Sequence, residues 1–152
     1  MKIYLDMDGL FVAFYAVLGW LDYLKAQDAT PYRIAKPAVN LSLLARYLNK
    51  LQSMGYEIGI ISWTSKSGTR EFDMEVTEAK LEWLKTHLKS VNWNEIHIIP
   101  YGTPKSNYGI GVNAILFDDE KHNRDDWRAR TSNCAYDETQ LMEVLKNLCK
   151  GA

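Results

Sequence analysis

The chain has 152 residues, 47% apolar and 24% charged, with a formal net charge of −1. That length suits one domain able to bury a core without disulfides or structural metal. The balanced charge excludes a global basic field of the kind that attracts nucleic acid, though not a local basic patch.

Taken in chain order, Ile3, Tyr4 and Leu5 open a buried strand over residues 2–5, and Asp6 and Asp8 follow with only Met7 between them. Strand geometry aims residues i and i+2 to one side. Two carboxylates therefore meet at the lip of the core, at a cost of roughly 4 kcal/mol for a 4 Å separation and an effective dielectric of about 20. Residues 10–21 are apolar throughout. The run is too short to span a bilayer as a helix, and the acids before it do not suit a signal peptide. It reads as part of a buried helix over residues 11–26, with no membrane contact.

Leu41, Leu44, Leu48 and Leu51 keep helical spacing behind Asn40, a good N-cap, and Gly55 stops that helix. A second strand is predicted over 57–63. Val76, Ala79, Trp83, Leu84 and Leu88 mark the next helix. Further strands follow at 96–100, where Pro100 ends the ladder, at 113–117, and at a short 133–136. Leu141, Val144, Leu145 and Leu148 mark the last helix. The polar stretch 124–130 reads as a solvated face. His87, His97 and His122 have no metal-ligand spacing, and His122 reads as a loop residue. Cys134 and Cys149 likewise lack such spacing. A reduced, cytoplasmic setting is the simpler reading of them, a single disulfide the alternative. Strands without clean alternation, alternating with helices, imply an α/β fold: a doubly wound, mostly parallel, Rossmann-like sheet with helices on both faces.

In such folds chemistry gathers beyond the C-terminal ends of the strands. Asp6 and Asp8 follow the first strand. Ser62, Trp63, Thr64 and Ser65 end or follow the second. Lys105 comes after the third and Asp118 and Asp119 after the fourth. Carboxylates sharing a rim need compensation, and Mg²⁺ takes oxygen ligands together with a substrate phosphate. Asp6 is then the candidate nucleophile on phosphorus. Asp8 is placed to protonate the leaving oxygen and later to take a proton from water. Ser62, the backbone N–H groups of Trp63 and Thr64, and the Lys105 ammonium are candidate phosphate holders.

These residues carry a resemblance. "LDMDG" at 5–9 resembles the first motif of the haloacid dehalogenase-like superfamily, and "IIS" at 60–62 its second. Lys105 matches the lone basic residue of the third, and "ILFDDE" at 115–120 resembles the fourth. The resemblance implies an aspartyl-phosphate on Asp6 and acid–base work by Asp8. It also implies Mg²⁺ held by Asp6, Asp118 and the backbone carbonyl of Asp8, with the first and fourth strands side by side. The second-motif hydroxyl is Ser62 or Thr64, with Ser62 preferred because it ends the apolar run. Asp119 either meets the metal through water or orients Lys105. "KLEWLKTHL" at 80–88 and "FDDEKHNRDDW" at 117–127 are more loosely similar to 5′(3′)-deoxyribonucleotidase-type members.

Neither 10–39 nor 64–94 has room for a large cap, so the chain reads as one domain over 1–152, with residues 10–39 as a minimal helical cap or flap. The expected activity is Mg²⁺-dependent phosphomonoester hydrolysis, on nucleotides or nucleic-acid-end phosphates. Trp63 would stack on a base, and Arg33, Lys36 and Lys66 would meet extra phosphates. The competing readings are a phosphotransferase, a phosphatase of another small phosphorylated metabolite, and a non-catalytic binding module of the same fold.

Overall fold

Strands β1 (Lys2–Leu5), β2 (Glu57–Trp63), β3 (Glu95–Ile99), β4 (Ala114–Phe117) and β5 (Ala135–Tyr136) pair in the order β3-β2-β1-β4-β5, all parallel, in a computed structural model that describes residues 1–151. The first and fourth strands are neighbours, with Leu5 opposite Phe117. This register carries the chain beyond β1 and the chain beyond β4 to one point on the rim.

The strands are apolar on both faces because both faces are covered. Ile3, Leu5, Ile58, Ile60, Ile115 and Phe117 point into the larger core, which α3 (Leu41–Ser53), α4 (Arg70–His87) and α6 (Leu141–Cys149) close. Leu44, Leu48 and Leu51 of α3 are fully buried, each worth roughly 1.5–3 kcal/mol relative to exposure. The Asn40 side chain caps α3 by accepting from Leu43 N at 3.1 Å, and Thr69 caps α4 by accepting from Phe72 N at 3.1 Å. Gly55, just past α3, has φ of 99° and permits the reversal into β2.

The other face is thinner. Tyr4, Ile61, Ile99 and Leu116 pack on Trp127 of α5 (Lys121–Thr131). This helix leaves 124–130 largely solvated, as expected, but corrects the reading of His122 as a loop residue. Only Asn123 and Trp127 of α5 are buried, so one aromatic anchors an otherwise charged helix. No helix among the described residues is long and apolar enough to cross a membrane.

A second correction concerns residues 11–26, which are not one helix. They contain a 3₁₀ turn at Phe14–Ala16 and the short helix α1 (Trp20–Lys25), followed by α2 (Thr30–Ile34). Two causes are visible. Ala13 N donates to Lys36 O at 2.8 Å and Ala38 N to Phe11 O at 2.9 Å, which holds Phe11–Ala13 extended against 36–38. Gly19 then turns left-handed, with φ of 76°, and ends any continuous helix. An all-apolar run has no period to separate the two conformations.

At the edge of the smaller face, Glu95 accepts from Lys2 Nζ at 2.7 Å and from the Tyr4 hydroxyl at 3.1 Å, and its Oε1 lies 2.9 Å from His97 Nε2. Burial pushes the Glu95 carboxyl up, but the His97, Lys2 and Tyr4 bonds outweigh it and hold it down at about 2. A depressed carboxyl adds stability that is present above its unfolded value near 4.5 and lost as pH falls toward about 2. Urea melts between pH 5 and 2 should therefore show Glu95→Gln losing about 2 kcal/mol less than the parent, since the glutamine has no proton to take up.

Candidate active site

Asp6 leaves β1 with 7% exposure, and Asp118 leaves β4 fully buried. Oxygens of Asp6, Asp118 and Asp119 lie within 4.8 Å of one another. Lys105, 3% exposed, joins two of the three: its Nζ is 3.1 Å from Asp6 Oδ1 and 2.7 Å from Asp118 Oδ2. It stands in a 3₁₀ turn, Lys105–Tyr108. Asp118 is fixed further, accepting from Glu120 N at 2.9 Å and from Asn123 Nδ2 at 3.1 Å. Gly9, with φ of 80°, brings the loop after β1 against Asp119, where a Cβ would collide with the carboxylate.

Asp8 sits beside this cluster. Its Oδ2 accepts from Lys80 Nζ at 2.9 Å, and the same ammonium donates to Ser62 Oγ and to the Trp63 carbonyl, each at 2.7 Å. Thr64 is buried, and its Oγ1 has no hydrogen-bond partner among the described residues. Trp63 Nε1 donates to Thr103 O at 2.9 Å, its ring packs on Tyr101, and Lys105 Nζ lies 5.3 Å from the ring centroid.

Four carboxylates (Asp6, Asp8, Asp118, Asp119) thus face two ammonium groups (Lys80, Lys105). The imbalance shows in their ionisation. Burial first, and the Asp6 charge second, push the Asp118 and Asp119 carboxyls upward. Burial likewise raises Asp8, while Lys80 holds it back. Lys105 is held charged: burial would lower it, but Asp6 and Asp118 raise it by more. An all-oxygen donor set with excess negative charge fits a hard divalent cation.

Asp6, Asp8, Ser62, Trp63, Thr64, Lys105 and Asp119 line a single cavity of about 550 Å³, and the fully buried Asp118 is tied to it through Lys105. The cavity's aromatic lining from the segment after β1 was not expected from the sequence. Phe14, Tyr15, Trp20 and Tyr32 supply it, with Phe14 stacked on Tyr32 at 4.5 Å between centroids. Gln27 holds this segment to α4 by accepting from Thr69 N at 3.0 Å. Lys66 reaches the cavity, but Arg33 and Lys36 do not. Arg33 instead stands 3.8 Å from Glu82.

No family model matches the chain, and no curated protein matches it. Among solved structures it is similar to the crystal structure of a D,D-heptose 1,7-bisphosphate phosphatase from Burkholderia thailandensis. The TM-score is 0.54 at 16% identity, over 86% of this chain and 73% of that one. The chain has a haloacid dehalogenase-like fold. All four stretches that resemble haloacid dehalogenase-like motifs fall at the C-terminal rim of its sheet, around the same cavity.

Lys80 went unseen in the sequence although a signal was there. It falls four residues after Val76 and four before Leu84, on the buried stripe of α4. A lysine in an apolar stripe marks either a snorkelling side chain or a buried charge with partners.

Proposed function

We propose that this protein is a Mg²⁺-dependent phosphomonoester hydrolase that works through an aspartyl-phosphate on Asp6, with nucleotides or nucleic-acid-end phosphates as substrates. The observation that carries the reading is the meeting of Asp6, Asp118 and Asp119 around one point, with the cavity-lining Lys105 bridging Asp6 and Asp118. Asp6, Asp118 and the backbone carbonyl of Asp8 would hold the ion, with Asp119 beside them. When bound, the ion supplies the positive charge that lets a phosphate approach ionised carboxylates.

An Asp6 carboxylate oxygen attacks phosphorus as the bond to the leaving oxygen breaks, and Asp8 gives that oxygen a proton. Asp8 then takes a proton from a water whose oxygen attacks the phosphorus. The Asp6–phosphorus bond breaks, inorganic phosphate leaves, and Asp6 is regenerated. Lys105, the Ser62 hydroxyl and the unpartnered Thr64 hydroxyl hold the phosphoryl oxygens through these steps.

The aromatic lining residues, Phe14, Tyr15, Trp20 and Tyr32 together with Trp63 and Tyr101, support a flat group such as a nucleobase next to the phosphate. They also support reading residues 10–39 as a minimal flap on one domain spanning 1–152. The free thiols of Cys134 and Cys149 suit a cytoplasmic setting.

Phosphate release from a panel of nucleotides, sugar phosphates and aryl phosphates tests the reading. Release should stop in chelator and return on adding Mg²⁺, with nucleoside monophosphates the best substrates. Hydrolysis of sugar phosphates with nucleotides untouched would end the nucleotide part. Product formation that requires an added acceptor alcohol would make the protein a phosphotransferase.

A further inference from the structure

Lys80 is 2% exposed, sits inside α4, and does not line the cavity. Its place in the apolar stripe would be filled at less cost by methionine or leucine, because a buried ammonium must recover its lost hydration. All three of its N–H donors are spent: on Asp8 Oδ2 at 2.9 Å, Ser62 Oγ at 2.7 Å and the Trp63 carbonyl at 2.7 Å. The ammonium also lies 5.3 Å from the centroid of the Tyr32 ring, which belongs to the aromatic wall.

Two consequences follow from the direction of these bonds. Ser62 Oγ accepts from Lys80, so its own hydrogen is left to point elsewhere, and Ser62 lines the cavity. Asp8 Oδ2 is occupied by Lys80, so Oδ1 is the oxygen left to exchange a proton with a substrate. A planar carboxylate pinned at one oxygen has its other oxygen aimed as well.

We propose that Lys80 is a positioning residue of the hydrolysis set out above: it aims Asp8 Oδ1 at the leaving-group oxygen and the Ser62 hydroxyl at the phosphate, without touching substrate. The inference rests on that reading of the site. It assigns a role to a helix residue outside the four strand-end stretches, and it ties acid–base chemistry to phosphate binding through one ammonium group.

A series of aryl and alkyl phosphate monoesters of graded leaving-group acidity, hydrolysed by the parent and by Lys80→Met, tests it. A nitrophenyl leaving group departs without help, whereas an alkyl leaving group needs its proton. If Lys80 aims the acid, kcat/KM should fall only a few-fold for the nitrophenyl ester and about a hundredfold for the alkyl ester. Asp8→Asn should steepen the same dependence. A loss of equal size across the series, or no loss, overturns the proposal, because mere disturbance of the fold does not distinguish leaving groups.

Lys80→Met leaves a carboxylate with no partner and lowers the melting temperature, so the double variant Asp8→Asn/Lys80→Met is the second arm. With both charges removed it should melt near the parent. On the alkyl ester it should be no more than about threefold slower than Asp8→Asn alone, because residues acting through one another do not add. A double variant slower than Asp8→Asn by much more than that would overturn the proposal even if Lys80→Met alone did not fold. A parent that releases phosphate from no monoester would instead sink the hydrolase reading, and this role with it.

Discussion

Asp6→Asn should abolish phosphate release, with kcat down at least about a thousandfold, while the protein remains folded. The amide keeps the shape of the carboxylate but is a poor nucleophile, and no other side chain can form the acyl phosphate at that position. Stability should not suffer in proportion. Asp6 is the charge that, after burial, pushes Asp118 and Asp119 furthest from ionisation. Its removal relieves that repulsion, and Lys105 keeps its 2.7 Å partner in Asp118. The check pairs single-turnover assays with thermal melts in chelator. The parent should show label from a phosphate-labelled substrate on the protein after acid quench, and the variant should show none. A variant that turns over at a tenth of the parental rate or better would remove Asp6 from the nucleophile's role.

What the sequence made legible, and what it did not, follows from where each signal resides. Asp6, Asp8, Asp118 and Asp119 were readable because a polar residue at the end of an apolar strand interrupts a pattern, and parallel topology brings strand ends together. Lys105 was readable from its place after the third strand and from its match to a motif, not from its immediate neighbours. Its own surroundings, "TPKSN", look like any solvated turn, yet the turn delivers a 3% exposed lysine between two acids. Lys80 was lost for the opposite reason. Its neighbours Val76, Ala79, Trp83 and Leu84 explain the helix so well that a lysine among them drew no attention.

The aromatic wall was lost with the misread helix over 11–26. Helical periodicity there said only that the run was apolar. The extended pairing of Phe11–Ala13 with 36–38 depends on residues some twenty-five positions away, which no local pattern encodes. Helix α5 failed in a related way. Lys121–Asp125 and Asp125–Arg128 pairs lace its solvent side, and a single tryptophan makes its core face, so its amphipathic signal is one residue wide. Arg33 and Lys36 were expected at the phosphate on the strength of their charge alone. The ends of short helix α2 turn them to the surface, where Arg33 faces Glu82.

Lys105→Met is the substitution with the largest expected effect on the fold itself. The methionine fills the same space but leaves Asp6 and Asp118 facing each other, with Asp119 close by. Removing one partner of a buried ion pair costs about 3–5 kcal/mol, because the remaining charge stays desolvated. Here two carboxylates lose the same partner at once, so the upper part of that range is expected in chelator. A divalent cation that binds the folded state and not the unfolded one would stabilise in proportion to RT ln(1 + [L]/Kd). Saturating Mg²⁺ should therefore recover more stability in Lys105→Met than in the parent, because in the variant the ion replaces a missing positive charge as well as relieving an existing excess of negative charge. Activity should stay at least about a hundredfold low even with Mg²⁺, since Lys105 also faces the cavity, where under the proposed function it would hold the phosphate. Urea melts of both proteins with and without Mg²⁺ read the whole set. Equal Mg²⁺ stabilisation of the two would mean that the ion and the Lys105 ammonium do not share the acids, and that the ion binds at a different position.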